Sequence, residues 1–374
     1  MLRHVLIILL TVLGILLSSQ TKVPERILKA RPLSHFPDTT EIVFMGDVMM
    51  HQGQIDNALG KDGNYSFPTY FKEIESIVSR ADLSVANMEF TLAGRPYAGY
   101  PCFSAPDSYA GYMADCGIDV FLTANNHILD RGASGIRRTL DFYGQMESEY
   151  GIRYTGCAVD ESSDKKHNPL IIRVRGIRIA IINFTYGTNQ DLTSEWPKVH
   201  RTDKEWLSSA IKKAKDKGAE FIIALPHWGV EYQLKHSSSQ HSLAVWLAEE
   251  GCDAVIGSHP HVVQDMEVIR TGSGKEVPVV YSMGNIISNM SAPNTRIGMI
   301  VTLGIVTSPD GSRKLLQPET DLTWCCRPGT LTPSYCTVPV KDFLGRKELW
   351  STAYDYDNMA ETYSRVKNVT GITD

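Results

Sequence analysis

Short apolar runs that alternate with helical patterns constrain the fold of this chain more than any other feature. The runs are rich in Val, Ile and Phe, and most of them stop at Gly, Asn, Pro or His, which is typical of strands. They are Ile42–Met45, Leu83–Ala86, Val120–Thr123, Ile177–Phe184, Phe221–Leu225, Ala254–Ile256 and Val277–Tyr281. Apolar residues at helical spacing lie between them, at Ile136–Tyr143, Trp206–Ala214 and Leu243–Ala248, and Gly251 fits the end of the last helix. This alternation predicts an α/β layered fold.

Polar residues follow the predicted strands where each strand ends. They are Asp47, Asn87, Glu89, Asn125, Asn126, His127, His227, His259, His261 and Asn285. Each residue by itself is ordinary in a turn or a core. Strand ends gather at one edge of an α/β sheet, however, so the set would bring several imidazoles and carboxylates together. Such a concentration needs charge compensation, and a divalent metal supplies it.

The ligand types narrow the choice of metal. Carboxylate, amide oxygen and imidazole together suit Mn, Fe or Zn better than Ca or Mg. No thiolate belongs to the set, so a structural zinc site is disfavoured. Asp130 and Arg131, near the end of the third run, predict a local salt bridge or the start of a helix.

The N-terminus predicts export. Arg3 and His4 precede an apolar run from Val5 to Leu17, which is short for a membrane span and typical of a secretory signal. Residues 1–20 are therefore predicted to be a signal peptide or a membrane anchor. The polar, proline-containing residues 21–40 are predicted to be a linker between the membrane and the domain.

Charge and cysteines add two constraints. The net charge is −5 and the pI is about 6.1, which argues against nucleic acid as the main partner because phosphate is bound by basic surfaces. Among seven cysteines, Cys325 or Cys326 could pair with Cys336, or all could be buried thiols. From about Ser308 the periodicity weakens, which indicates either strand-rich decoration or an irregular end.

Six motifs together resemble a known family. They are GDVMM at 46–50, ANMEFTL at 86–92, TANNHILDRG at 123–132, PHWGVEY at 226–232, GSHPHVVQ at 257–264 and YSMGNIISN at 281–289. In order and spacing they resemble the CapA, or poly-γ-glutamate capsule-biosynthesis, family over residues 41–307. That family is similar to the calcineurin-like metallophosphoesterases. The resemblance implies a four-layer α/β/β/α sandwich of the metallo-dependent phosphatase type at 41–307, and it leaves 308–374 as an extension of unknown role.

The resemblance also implies a site with two divalent metals. Asp47 and His261 would hold the first metal, and Glu89 would take the place of the carboxylate that bridges both. Asn126, His227 and His259 would hold the second metal, and His127 would be the catalytic histidine that assists the leaving group. Asn87, Asn125, Glu231 and Asn285 would support the ligands or line the pocket. The phosphoesterase pattern has a histidine two residues after the first aspartate, where this chain has Met49, and His51 is the candidate substitute.

The main functional hypothesis is an exported, metal-dependent hydrolase at the cell envelope. The resemblance implies an anionic polymer such as poly-γ-glutamate, cleaved at its γ-glutamyl amide, or a small phosphoester as substrate, with membrane capsule-synthesis proteins as partners. The alternative is a non-catalytic assembly or export factor that binds an anionic capsule polymer through its metal, and Met49 favours that alternative. A secreted sugar-binding or adhesion domain would leave the histidines at the strand ends unexplained.

Overall fold

The computed structural model describes residues 38–373. The predicted signal peptide or anchor lies outside the described residues, and so does most of the predicted linker. The first strand, β1 (Thr39–Val48), begins inside the segment predicted as linker. Within residues 38–373, no helix combines the length and the hydropathy that crossing a membrane requires.

The first sheet is mixed and is built around β1. It contains nine strands, with β1 parallel to β2 (Leu83–Met88) and antiparallel to β14 (Ile297–Thr307). The others are β3 (Val120–Leu122), β4 (Arg153–Thr155), β13 (Asn285–Ile287), β15 (Arg313–Leu315), β16 (Glu319–Cys326) and β17 (Cys336–Pro339). Side chains of β1 alternate, as those of a strand buried on both faces must: Ile42 and Phe44 enter one apolar cluster, and Val43 and Met45 enter another.

The second sheet has six strands in the order β11-β12-β10-β9-β7-β6. They are β6 (Leu170–Val174), β7 (Ile177–Thr185), β9 (Phe221–His227), β10 (Ala254–Ile256), β11 (Met266–Arg270) and β12 (Glu276–Val280). Strands β7, β9, β10 and β12 run parallel, so their carboxyl ends lie at one edge. A small separate pair joins β5 (Cys157–Ala158) to β8 (Lys198–Val199).

Helices cover the outer faces of both sheets. The described α-helices are α1 (Gln52–Ala58), α2 (Glu75–Arg80), α3 (Asp107–Asp115), α4 (Gly132–Tyr150), α5 (Glu161–His167), α6 (Lys204–Asp216), α7 (Ser238–Glu250), α8 (Val340–Phe343) and α9 (Ala353–Thr370). One apolar cluster joins α1 to α4 with the first sheet, a second fills the space between the sheets, and a third joins α6 and α7 with the second sheet. This arrangement confirms the predicted four-layer α/β/β/α sandwich.

The residues after Ser308 complete the first sheet. Strand β16 pairs with β14 along its length, and β17 pairs with β16. Trp324, Val338, Met359 and Val366 are buried in the cluster between the sheets. The segment therefore contributes both strands and core.

All seven cysteines are free thiols in this structure. Cys326 and Cys336 lie directly opposite each other in β16 and β17. Of the two pairings considered from the sequence, this register brings Cys326, rather than Cys325, to Cys336.

Candidate metal centre

The carboxyl ends of strands from both sheets meet at one place. Strand β1 brings Asp47, and the chain directly after β2 brings Glu89. Strand β9 ends at His227, and the segment after β10 carries His259 and His261. The first sheet thus supplies the carboxylates, and the second supplies the imidazoles.

Asp47 and Glu89 are buried without a Lys or Arg partner among the described residues. Both side chains have no exposed surface. His261 Nδ1 lies 3.3 Å from Asp47 Oδ2, and His261 Nε2 lies 3.7 Å from Glu89 Oε1. His227 Nε2 lies 3.8 Å from Glu89 Oε1. Asn87 Nδ2 donates a 2.8 Å hydrogen bond to Asp47 Oδ1. Every ion pair recorded for these two acids is therefore with a histidine.

Two groups of potential ligand atoms share Glu89. One group is Glu89, His259 and His261, the other is Asp47, Glu89 and His227, and the ligand atoms of each group lie within 4.8 Å of one another. Asn126 Oδ1 lies 2.9 Å from His227 Nε2 and adds an amide oxygen to the second group. Together these residues are called the buried centre below: Asp47, Glu89, Asn126, His227, His259 and His261. Glu89 holds the shared position implied by the family resemblance, but the geometry places His259 with His261 and His227 with Asp47.

The protonation of the buried centre shows how poorly it tolerates its own charges. Burial, followed by the nearby charge of Asp47, raises the pKa of Glu89 well above its usual value. Burial and the neighbouring histidines lower the pKa of His227 well below the usual range and that of His259 to about 3. Burial alone would lower the pKa of His261, but the hydrogen bond and charge of Asp47 outweigh it and raise that pKa.

Two buried polar atoms of the centre have no hydrogen-bond partner. They are Glu89 Oε1 and His259 Nδ1. An unpaired buried polar atom costs about 1–3 kcal/mol, so most are satisfied in folded proteins. A divalent cation between these residues would be coordinated by both atoms, and its charge would neutralise the carboxylates. The donor set therefore fits the metals expected from the sequence.

The backbone of the second sheet is strained where it delivers its histidines. His259 has a φ of 101° and His261 a φ of 58°, a region that residues with a Cβ adopt at a cost of about 1–3 kcal/mol. The backbone N–H of His259 lies 3.3 Å from Asp47 Oδ2, within weak hydrogen-bonding distance. The close approach of the chain at Gly257, where a Cβ would lie 2.2 Å from Tyr281 O, leaves no room for another residue. The strain turns both imidazoles toward the carboxylates.

His127 lies beside the buried centre with its own carboxylate partner. Its Nδ1 is 2.8 Å from Asp130 Oδ2, and the same oxygen accepts a 2.8 Å hydrogen bond from Phe103 N. Asp130 thus orients His127. The sequence predicted a local salt bridge or a helix start at Asp130 and Arg131, and the helix start is confirmed, because Arg131 is the N-cap of α4. Arg131 donates from Nε to Cys102 O and precedes α4. The three-residue spacing of His127 and Asp130 was the signal in the sequence for this contact.

The pocket residues predicted from the sequence have distinct partners. Asn125 donates to Met88 O at 2.9 Å and accepts from the backbone N–H of His127 at 3.1 Å, which shapes the loop. Asn285 Oδ1 lies 3.0 Å from His261 Nδ1. Glu231 is half-buried, and its charge adds to the effects of burial and Asp47 on the pKa of Glu89.

Comparison with known proteins identifies the family. The family model described as bacterial capsule synthesis protein PGA_cap matches residues 41–290. This chain belongs to the PGA_cap family. It is 27% identical over 313 residues to the capsule biosynthesis protein CapA of Bacillus anthracis, which covers 80% of this chain and 72% of that protein. It is 26% identical over 276 residues to the PGA biosynthesis protein CapA of Bacillus subtilis (strain 168), covering 71% of this chain and 67% of that protein.

Solved structures with similarity to this PGA_cap protein include two nucleotidases. The NAD nucleotidase NadN of Haemophilus influenzae has a TM-score of 0.48 and 14% identity, over 87% of this chain and 62% of that one. A putative 5'-nucleotidase of Staphylococcus aureus has a TM-score of 0.48 and 14% identity, over 75% of this chain and 54% of that one. This chain thus spans less than two thirds of the length of either structure.

The departure from the phosphoesterase pattern is visible in this PGA_cap site. Met49 is buried in the apolar cluster under α1 to α4. His51 precedes α1, its Nδ1 lies 3.2 Å from the backbone N–H of Asn289, and burial lowers its pKa to about 4. Within residues 38–373, His51 belongs to neither group of potential ligand atoms.

Three exposed tyrosines near the PGA_cap histidines were missed in the sequence. The ring of Tyr186 lies 4.6 Å from that of His259, Tyr100 lies 6.3 Å from His127, and Tyr232 lies 6.5 Å from His261. Tyr186 directly follows β7, so it does stand at a strand end. A tyrosine lies outside the Asp, Glu, Asn and His donor set that predicts the metal site, so the sequence pattern did not include it.

Proposed function

We propose that this protein is a metal-dependent hydrolase that acts on a capsule polymer or an envelope phosphoester. The observation that carries the proposal is the burial of Asp47 and Glu89 with only histidines as ionic partners among the described residues. Two buried atoms in the same place that have no hydrogen-bond partner, Glu89 Oε1 and His259 Nδ1, add support. A solely structural core would leave these costs without compensation.

The residues of the buried centre would hold one or two divalent ions of the Mn, Fe or Zn class. Such ions supply an activated water at neutral pH and neutralise charge that develops during hydrolysis. Asn87 keeps Asp47 in place through its 2.8 Å hydrogen bond, and Asn285 does the same for His261 at 3.0 Å. These amides orient the ligands in the way that outer hydrogen bonds do in metalloenzymes.

His127 would assist the leaving group. Its Nδ1 faces the Asp130 carboxylate at 2.8 Å, which fixes the proton on Nδ1 and leaves Nε2 for the substrate. From Nε2 the protonated ring can donate to the leaving oxygen of a phosphoester or the leaving nitrogen of an amide. Phe103, whose ring centroid lies 4.7 Å from that of His127 at 83°, limits rotation of the imidazole.

The names of the relatives support the substrate class and the location. One is a capsule biosynthesis protein and the other a PGA biosynthesis protein. We propose that this protein acts on the same kind of anionic polymer at the cell envelope, delivered by its N-terminal apolar segment. Tyr100, Tyr186 and Tyr232 would contact the parts of the substrate that extend from the buried centre.

The deciding experiment combines metal analysis with a substrate assay. Purified protein is loaded with Mn, Fe or Zn, its metal content is measured, and cleavage of poly-γ-glutamate and of model phosphoesters is followed. Metal-dependent cleavage of either substrate is expected. Bound metal without cleavage of any of these substrates would contradict the hydrolase proposal.

A second candidate function is polymer assembly without catalysis. The specific observation in its favour is Met49, which is buried in the core at the position where the phosphoesterase pattern has a histidine. A factor of this kind would bind the polymer through its metal. Its role in cells would survive His127→Ala but not Asp47→Ala, whereas a hydrolase would lose its role with either substitution.

A further inference from the structure

A further group of side chains that could hold a metal ion lies at the surface, built from residues outside the buried centre. It consists of His236, His241 and Glu267, and is called the surface cluster below. One potential ligand atom from each residue lies within 4.8 Å of the others. His236 lies in the loop before α7, His241 in the first turns of α7, and Glu267 in β11. The stretch from His236 to His241 therefore meets β11 at this point.

His236 is already oriented as metal-binding histidines are. Its backbone N–H donates to Asp265 Oδ1 at 3.0 Å, and its Nδ1 lies 3.2 Å from both oxygens of the same carboxylate. Its ring stacks on Tyr281 at 3.9 Å with an interplanar angle of 18°. A carboxylate on one ring nitrogen of a histidine fixes the tautomer and raises the basicity of the other nitrogen. Asp265 thus leaves Nε2 of His236 as the atom available to a metal.

Glu267 and His241 complete the surface cluster. His241 Nδ1 lies 2.7 Å from Glu267 Oε1, and the Tyr281 hydroxyl donates to that oxygen. The side chains of His241, Glu267 and His236 are 45%, 33% and 26% exposed, so a dissolved ion can reach all three. The second oxygen of Glu267 and the ring nitrogens of His241 can turn toward an ion because half of the His241 side chain faces solvent.

We propose that the surface cluster binds one divalent ion of the Zn class. Two imidazoles and a carboxylate are a donor set typical of zinc, with water in the fourth position. Zinc needs its ligand atoms about 2.0–2.2 Å from the ion, so the three side chains close inward by small rotations as it binds. The ion replaces the hydrogen bond between His241 and Glu267, and Asp265 stays in place behind His236.

Binding would tie a loop near the buried centre to the second sheet. Buried Gln264 donates from Nε2 to Gln233 O at 2.8 Å and to Lys235 O at 3.1 Å, so this loop already rests on the segment that carries His261. The same loop carries Glu231 and Tyr232. An ion held by His236, His241 and Glu267 adds a cross-link between the loop, α7 and β11, and raises thermal stability by mass action.

The test compares zinc binding by the full chain with binding by His241→Gln. Zinc equivalents are counted by elemental analysis after dialysis, and Co²⁺ is added separately to record the visible absorption of a four-coordinate site. We expect His241→Gln to lose one equivalent, to lose the corresponding share of the Co²⁺ absorption, and to lose part of the zinc-induced rise in unfolding midpoint. Glu276→Gln, on the adjacent strand β12, is the matched control and should retain all three.

Asp265→Asn separates a metal site from an ordinary surface ion pair. It leaves the three ligands in place but removes the carboxylate behind His236, so zinc affinity should fall about 10–100-fold. His241 is exposed on a helix, and the unfolding midpoint without metal verifies that the variants fold. Equal zinc equivalents in the full chain and in His241→Gln would overturn the proposal, and so would equal affinity in Asp265→Asn.

Discussion

The buried centre and the surface cluster use the same ligand types in different surroundings. Both combine histidines with carboxylate. His236 and His241 follow His227 in the chain after β9, and Glu267 follows the segment after β10 that carries His259 and His261. In the buried centre, Glu89 Oε1 and His259 Nδ1 have no hydrogen-bond partner. In the surface cluster, Glu267 Oε1 is paired with both His241 and Tyr281.

The difference shows what burial does to a metal site. At the surface, water and neighbouring side chains can satisfy the ligands, so a metal is optional and its loss costs little. In the interior, burial of the same ligands without a cation raises the pKa of Glu89 and lowers the pKa of His227, which favours the uncharged form of both side chains. The buried centre is therefore expected to depend on its metal for both chemistry and stability.

The largest effect is expected for His127→Ala in the metal-loaded protein. Loss of a group that gives a proton to the leaving group lowers the rate by about 10²–10⁴-fold. Metal content should stay the same, because His127 is not among the potential ligand groups. Steady-state rates with elemental analysis test this, and Asp130→Asn should show a smaller loss with an altered pH profile. A variant that retains the full rate would remove His127 from the mechanism.

The second prediction concerns the stability of Glu89→Gln, and the expected direction of the change depends on whether metal is bound. The folded-state pKa of Glu89 is raised, so its contribution to stability is present below the unfolded pKa of about 4.5 and is lost as pH rises through the folded value. At neutral pH, metal-free Glu89→Gln should therefore be more stable than the unsubstituted protein, whereas the same change should weaken metal binding. Denaturant unfolding with and without chelator measures both. Destabilisation in both conditions would mean that the carboxylate is structural.

A smaller effect is expected for His51 as pH falls. Burial lowers its pKa to about 4 from the usual 6.5, so its contribution to stability is present above pH 6.5 and is lost as pH falls toward 4. The metal-free protein should thus lose stability over this range relative to His51→Gln, which has no proton to take up. Thermal unfolding at several pH values compares the two proteins. Parallel pH curves would show that His51 is more exposed than its surroundings indicate.

The smallest effect is expected for His241→Gln without metal. It removes a partly exposed ion pair with Glu267, and such pairs contribute about 0–1 kcal/mol. Chemical unfolding of the metal-free protein should show a change within that range. A much larger loss would mean that the surface cluster is essential to the fold, which would break the contrast with the buried centre.

The sequence predicted the layers and the strand ends better than it predicted which side chains contact one another in the site. The apolar run Ile42–Met45 lies within β1, and Phe221–Leu225 lies within β9, because strands buried on both faces are continuous apolar runs. Strand β14 was missed, although it pairs with β1 along most of its length. Its glycines, its threonines and its length of 11 residues differ from the short apolar runs that predict the other strands.

Pairings across the sheets were beyond reach for a physical reason. The approach of His261 to Asp47 depends on the positive φ of His259 and His261. His259 precedes a proline and His261 precedes a valine, and neither local sequence predicts a positive φ. The contact between Asp130 and His127 was easier to predict, since Asp130 follows His127 by only three residues. The roles of Tyr186 and of Ser258, which lies 3.1 Å from His227 Nδ1, depend on how neighbouring strands of the second sheet align, and no local pattern encodes that alignment.

The position of β1 in its sheet has a consequence for synthesis. Ile42 pairs with Leu83 on one side and with Leu303 on the other, and Asp47 lies opposite Asn285. A chain emerging from the ribosome can form the first of these pairings early, but the others wait until most of the polypeptide has been made. Contacts so distant in sequence slow folding. The first strand therefore spends much of translation with one edge open, and a nascent chain stopped before residue 285 lacks Asn285, which contacts His261 in the finished protein.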